Sequence, residues 1–200
     1  MKPVLLLLMI GSALPALAAA PQLDVVVKRF EAGAQHGFEV SASGVAQASP
    51  ATVWKILTAY ERMPEFVPNM LSSRVLARGE NETIVEQLGS TRFLFIRKAI
   101  RLVVRVTEVP PSHIDITLVS GDMKHYEAHW ELIPLPDAGS NPGGTRILYR
   151  GKIVPDFYVP GMLGDSVIGD DVRSMMEAVL VRLDQDSDRA PERTPPPAPR

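Results

Sequence analysis

The sequence predicts an α+β domain built on an antiparallel sheet. Three observations predict it. Period-two alternation recurs along most of residues 23–154, one capped helical segment interrupts it near residue 50, and an apolar stripe at helical spacing closes the pattern between Pro160 and Leu183. Strands in runs, with helices segregated from them, argue against alternating β-α units and a parallel sheet.

Leu23–Phe30 and Gly37–Ala48 read as the first two strands, with Gln35-His36-Gly37 as the turn between them. Ser49 and Pro50 then open a helix. A serine hydroxyl accepts from an orphan N–H of the first turn, and proline costs nothing at the first helical position. Val53, Ile56, Leu57 and Tyr60 make its apolar face, and Pro64 and Pro68 are expected to stop it. Ser73–Ala77 and Glu82–Leu88 form a hairpin through Arg78-Gly79-Glu80-Asn81. Arg92–Glu108 gives a long strand signal, with Leu94, Ile96, Lys98, Ile100, Leu102, Val104 and Val106 on one face and a turn or bulge expected near Arg97-Lys98. Val109-Pro110-Pro111-Ser112 breaks the pattern. His113–Val119 follows with Ile114, Ile116 and Leu118 inward. Gly121-Asp122 turns the chain, and Lys124–Ile133 places Tyr126, Ala128, Trp130 and Leu132 inward. After a loop at Pro134–Gly144, Thr145–Val154 is the last strand. The terminal helix carries Ile168, Val172, Met175, Met176, Val179 and Leu183 on one side, with Gly161, Gly164 and Gly169 weakening its first half.

The Val53-Trp54 pair, the Tyr60–Pro68 stretch, Ser72-Ser73-Arg74-Val75-Leu76, Trp130-Glu131-Leu132 and the terminal helix occur together. In this combination the chain resembles the START-like helix-grip (SRPBCC) superfamily, in the branch of polyketide cyclase/dehydrase and coenzyme Q-binding proteins. The resemblance runs from about Val25 to Leu183. It implies a START/Bet v 1-like curved sheet wrapped around the long C-terminal helix, two short helices after the early strands, and an apolar ligand cavity between sheet and helix. One departure is Ala59, where much of this branch carries an acid.

The ends have their own logic. Lys2, the apolar run Val4–Ile10 and Ala16-Leu17-Ala18 read as a signal peptide over 1–18, cleaved after Ala18, for a periplasmic or secreted protein. The domain is expected over 23–185, and 186–200, rich in proline, as a disordered tail. The chain has no cysteine, which removes disulfides, thiol nucleophiles and cysteine-ligated metals. A net charge of −2 is not that of a general nucleic-acid binder, and no nucleic-acid partner is expected.

Catalytic motifs are sparse. His125 and His129 have the spacing of half a zinc signature, but on a strand four residues span about 13 Å, too far for one ion. They fit a solvated outer face with Glu127 and Glu131. No Gly-x-Ser-x-Gly and no phosphate-binding glycine loop occurs. No metal and no cofactor is expected. Arg97, Arg101 and Arg105 make a basic stripe on the outer face, suited to keeping the sheet soluble or to transient contact with a membrane surface.

The functional expectation is therefore an exported binder of a hydrophobic small molecule: a lipid, an isoprenoid quinone or an aromatic metabolite. The ligand-cavity residues read from the inward faces and the resemblance are Phe66, Leu118, Tyr126, Trp130, Tyr149, Met162, Met175, Met176 and Val179. The segment Phe157–Gly164 reads as a gate at the helix start. The alternatives are a cyclase or dehydratase acting on a polyketide-like substrate, and a protein-interaction module using the tail and the arginine stripe.

Overall fold

The structure, a computed structural model, describes residues 23–33, 35–93, 96–137, 143–159 and 164–189. The signal segment, Met162 and most of the proline-rich tail lie outside the described residues.

Eight antiparallel strands form one sheet: β1 (Asp24–Ala32), β2 (Gln35–Ala46), β3 (Met70–Arg78), β4 (Glu82–Phe93), β5 (Ile96–Val109), β6 (His113–Gly121), β7 (Met123–Pro134) and β8 (Thr145–Pro155). Their spatial order is β1-β2-β8-β7-β6-β5-β4-β3. Helix α1 (Pro50–Leu57) and a 3-10 turn (Tyr60–Glu65) carry the chain from β2 to the far edge strand β3. The long helix α2 (Gly164–Arg189) packs against β1, β2, β4 and α1, so strands from both ends of the sheet hold it. This is the helix-grip fold that the resemblance implies.

Local chemistry explains the elements. Ser49 caps α1, accepting from the Thr52 N–H at 3.3 Å, with Pro50 in the first turn. α1 buries Val53, Ile56 and Leu57. It ends earlier than the prolines suggest. Thr58 turns its hydroxyl back to the Trp54 carbonyl at 2.8 Å, and Pro64 sits inside the 3-10 turn instead of stopping a helix. Arg29 on β1 grips Asp165 in the first turn of α2 through both carboxylate oxygens, at 2.6 and 3.2 Å. That acid also suits the positive end of the helix dipole.

Three boundaries differ from the sequence reading. The β1–β2 turn falls at Gly33, in the left-handed region with φ 66°, and Gln35-His36-Gly37 belongs to β2. Gly37 lies opposite Phe30, whose ring occupies the space a side chain there would need. Arg92–Glu108 is not one strand: the break expected near Arg97-Lys98 falls earlier, since Arg92 and Phe93 end β4 and Phe93 pairs with Ile96 of β5. α2 also continues past Leu183 to Arg189, through the charged start of the expected tail, with Arg182 and Asp186 paired at 3.5 Å.

The core fills the space between sheet and α2. Val172, Met176, Val179, Leu180 and Leu183 bury one side of the helix against Val40, Ala42, Ile147 and Tyr149 of β2 and β8. Each such side chain contributes on the order of 2 kcal/mol by leaving water.

Candidate functional site

The inward residues of β7 and β8 meet as the alternation predicts, but they make packed core. Trp130 and Tyr149 lie edge to face with ring centroids 4.9 Å apart. Tyr149 and Tyr126 hydrogen-bond to each other, and burial pushes both phenols above their ordinary range. The Tyr149 hydroxyl stands over Gly151, where a Cβ would come within 2.7 Å of it. Met176 and Val179 are buried in the same core, and Leu118 is half-buried on β6. Phe66 is half-buried beyond the 3-10 turn, its ring centroid 6.0 Å from the Arg182 guanidinium carbon. Trp130 also borders a small, mostly apolar hole of about 30 Å³, shared with Leu57, Tyr60 and Met63. Tyr60 closes one end of this region. Its hydroxyl donates to Glu108 at 2.7 Å, and burial together with that carboxylate pushes its own ionisation far up.

Open space lies toward the other end. A recess of about 210 Å³ sits between α2, the turn before β3, and strands β4 and β5. Met70, Leu88, Ile100, Leu102, Met123 and Met175 supply its apolar wall. Of the cavity residues read from sequence, Met175 lines this recess and Trp130 the small hole. Lys98 follows the inward register of Ile100 and Leu102, pairs across from Thr91, and holds its ammonium 4.7 Å from the centroid of the Phe157 ring. Of the expected gate, Phe157 to Val159 and Gly164 are described, and 160–163 lie outside.

Sequence reasoning missed Asn69, Thr91, Met123 and Asp171. The Asp171 carboxylate accepts from the Thr91 hydroxyl at 2.8 Å and from the Asn69 amide at 3.4 Å. Desolvation pushes its pKa above the ordinary value of 3.8, Thr91 and Asn69 pull it back, and Asp170 adds a like charge. One signal was present. Asp171 stands three residues after Ile168 and four before Met175, an acid set into the apolar stripe of α2.

The raised Asp171 pKa has a consequence for stability. A carboxyl whose folded pKa lies above its unfolded value favours the fold below the unfolded pKa, and that contribution is lost as pH rises through the folded pKa. Asp171→Asn is therefore expected to gain thermal stability relative to wild type between about pH 4 and pH 7. Melting curves at the two pH values check this, and a difference in Tm that is constant or shrinks toward pH 7 would count against it.

A second and larger recess, about 430 Å³, lies on the outer face over β2, β8, β7 and β6, lined by Glu39, Asp115, Glu127, His129, Arg150 and Lys152. It is open and charged, and its floor is sheet backbone, so it does not reach the space between sheet and helix. His129 meets Asp115 there at 2.7 Å, and His125 meets Glu127 at 3.3 Å, which places both histidines on the solvated face the alternation predicts. The arginine stripe is largely neutralised, since Arg101 and Arg74 pair with Glu86 and Arg105 with Glu82.

A sheet gripping a terminal helix, with an apolar recess where they part, defines a START-like helix-grip domain. Solved structures share it. A STAR-related lipid transfer protein from Xanthomonas axonopodis aligns at 16% identity over 84% of this chain and 97% of its own, with a TM-score of 0.65. Human StAR-related lipid transfer protein 5 aligns at 13% identity over 85% and 89%, TM-score 0.62. The ZhuI aromatase/cyclase from Streptomyces sp. R1128 aligns at 15% identity over 76% and 96%, TM-score 0.62. No curated protein sequence matches the chain. The profile of the family described as polyketide cyclase / dehydrase and lipid transport matches residues 46–180, and the chain belongs to that family.

Proposed function

We propose that this protein is an exported carrier of a hydrophobic small molecule, a lipid, an isoprenoid quinone or an aromatic metabolite. The observation that carries the reading is the apolar recess between α2 and β4–β5, walled by three methionines that can adapt to a variable apolar shape. Affinity would come from apolar burial, about 25 cal/mol per Å² before ordering costs. The family includes lipid transport in its description, and two of the fold relatives are named as lipid transfer proteins. The apolar run and small-residue site within residues 1–18 support export to the periplasm. Transient contact with a membrane during loading is consistent with the β4–β5 hairpin, where Arg92 faces Arg97 across the ladder.

Native mass spectrometry of the protein purified from its own cells, followed by solvent extraction, tests the reading. A reproducible apolar adduct is expected. Protein that is always empty, and that takes up neither quinone nor lipid, would sink it. Met175→Trp puts a larger side chain into the recess from α2. It is expected to weaken uptake at least about tenfold while leaving a cooperative melt, because the site has room for it.

A cyclase or dehydratase is the second reading, favoured by the aromatase/cyclase relative and by Asp171 in the recess. Acid–base chemistry on a polyketide needs convergent donors and acceptors. Among the described residues that line the recess, Asp171 is the one acidic or basic side chain. Binding remains the reading we favour.

A further inference from the structure

Asp171 occupies a stripe position that packing alone would give to Leu or Met. Two neutral donors hold it: Thr91 on β4 and Asn69 on the turn before β3. The backbone of that turn holds Asn69 in place. Asn69 sits in the left-handed region at φ 62°, which asparagine tolerates, and its carbonyl accepts from the Ser90 N–H at 2.8 Å, fixing the turn to β4. A carboxylate has about four lone-pair sites, and these partners use two. Among the described residues no Lys, Arg or His pairs with it. Asp170 beside it has the same sign, and Lys98, across from Thr91, is placed over Phe157. A part-buried carboxylate with spare acceptor positions at the edge of an apolar recess is costly unless something uses them.

We propose that Asp171 is the polar anchor of the recess, taking a hydrogen-bond donor at the end of an apolar ligand, a hydroxyl or an amine, and turning away carboxylate and phosphate head groups. The proposal rests on the carrier reading above and narrows it. Thr91 and Asn69 keep the carboxylate oriented, so the free lone pairs meet a donor without reorganisation. Among the described residues that line the recess an anionic head would find no cation to pair with, and it would meet the charges of Asp171 and Asp170 together.

The experiment is calorimetric titration of the purified protein at pH 7 with three probes sharing one chain: 1-decanol, decylamine and sodium decanoate. Decanol and decylamine are expected to bind at least about tenfold tighter than decanoate. Asp171→Asn is expected to weaken decylamine and strengthen decanoate, bringing the probes within about threefold of one another. The wild-type ranking needs no variant to fold. Decanoate binding as tightly as decanol, or a folded Asp171→Asn protein that keeps the wild-type ranking, overturns the anchor and leaves the carrier reading intact. Failure of all three probes to bind overturns the carrier reading and the anchor with it.

Discussion

Trp130→Ala is expected to cost about 3–5 kcal/mol of folding stability, the range for removing a buried tryptophan. Its indole is almost fully buried, packs on Tyr149, and borders the hole it shares with Leu57, Tyr60 and Met63. Truncation enlarges a void that already exists. The neighbours cannot collapse into it, because Tyr60 is tied to Glu108 and Tyr149 to Tyr126. For a domain of this size the loss corresponds to a fall in Tm of roughly 10 °C. Urea denaturation measures it directly. A loss below about 1 kcal/mol would mean that the Trp130 site relaxes, and that the core is less tightly packed than described.

Gly121→Ala is expected to be nearly as damaging, through the backbone. Gly121 has φ 135°, and a Cβ there would lie 2.2 Å from the Arg101 carbonyl oxygen and 2.9 Å from the Leu102 Cα. Neither is the end of a flexible side chain, so the strands must part. The hairpin they would disturb is closely tied. The Asp122 N–H donates to the Arg101 carbonyl at 2.9 Å, and the Asp122 carboxylate accepts from the Arg101 N–H at 2.7 Å. The Asp122 carbonyl accepts from Asp156 N–H at 3.1 Å, which connects the turn to the chain leading into α2. The expected loss is on the order of 3 kcal/mol, with weaker ligand uptake because Met123 of the recess lies two residues on. Gly79→Ala is the control. A Cβ there meets the Glu82 carbonyl at 3.4 Å, an ordinary contact, and the expected change is within about 1 kcal/mol. Equal losses at the two positions would contradict the argument.

The legible parts of the fold were those where periodicity speaks. The inward set Tyr126, Ala128, Trp130 and Leu132 and the stripe of α2 were readable because one face of each is buried. The Ser49 cap was readable because its chemistry is local. The β4–β5 break was expected only a few residues late, near Arg97-Lys98, since Arg92-Phe93-Leu94-Phe95-Ile96 holds no Gly, Pro, Asn or Asp to mark a turn, and apolar residues run straight through it. Gly37 misled in the opposite direction, looking like a turn while making room for a ring on the neighbouring strand. The recess was legible only in part. Met175 lies on the helix face that the pattern exposes. Asn69, Thr91 and Met123 come from a turn and two strand ends, and only the sheet's strand order brings them to Asp171. Inward-facing aromatics were readable as inward, but periodicity does not distinguish a packed core from a cavity wall.

The central claim is that an apolar ligand seats between α2 and the β4–β5 edge of the sheet. Methionine methyl groups report on this directly, because Met70, Met123 and Met175 line the recess and Met176 lies in packed core. The decisive measurement is a ¹³C-methyl methionine NMR titration with 1-decanol, paired with backbone amide shifts. The account expects saturable shifts at Met123 and Met175, with Glu127 and His129 on the outer face unmoved. Shifts confined to the outer face, or none at any methionine under saturating probe, would contradict it.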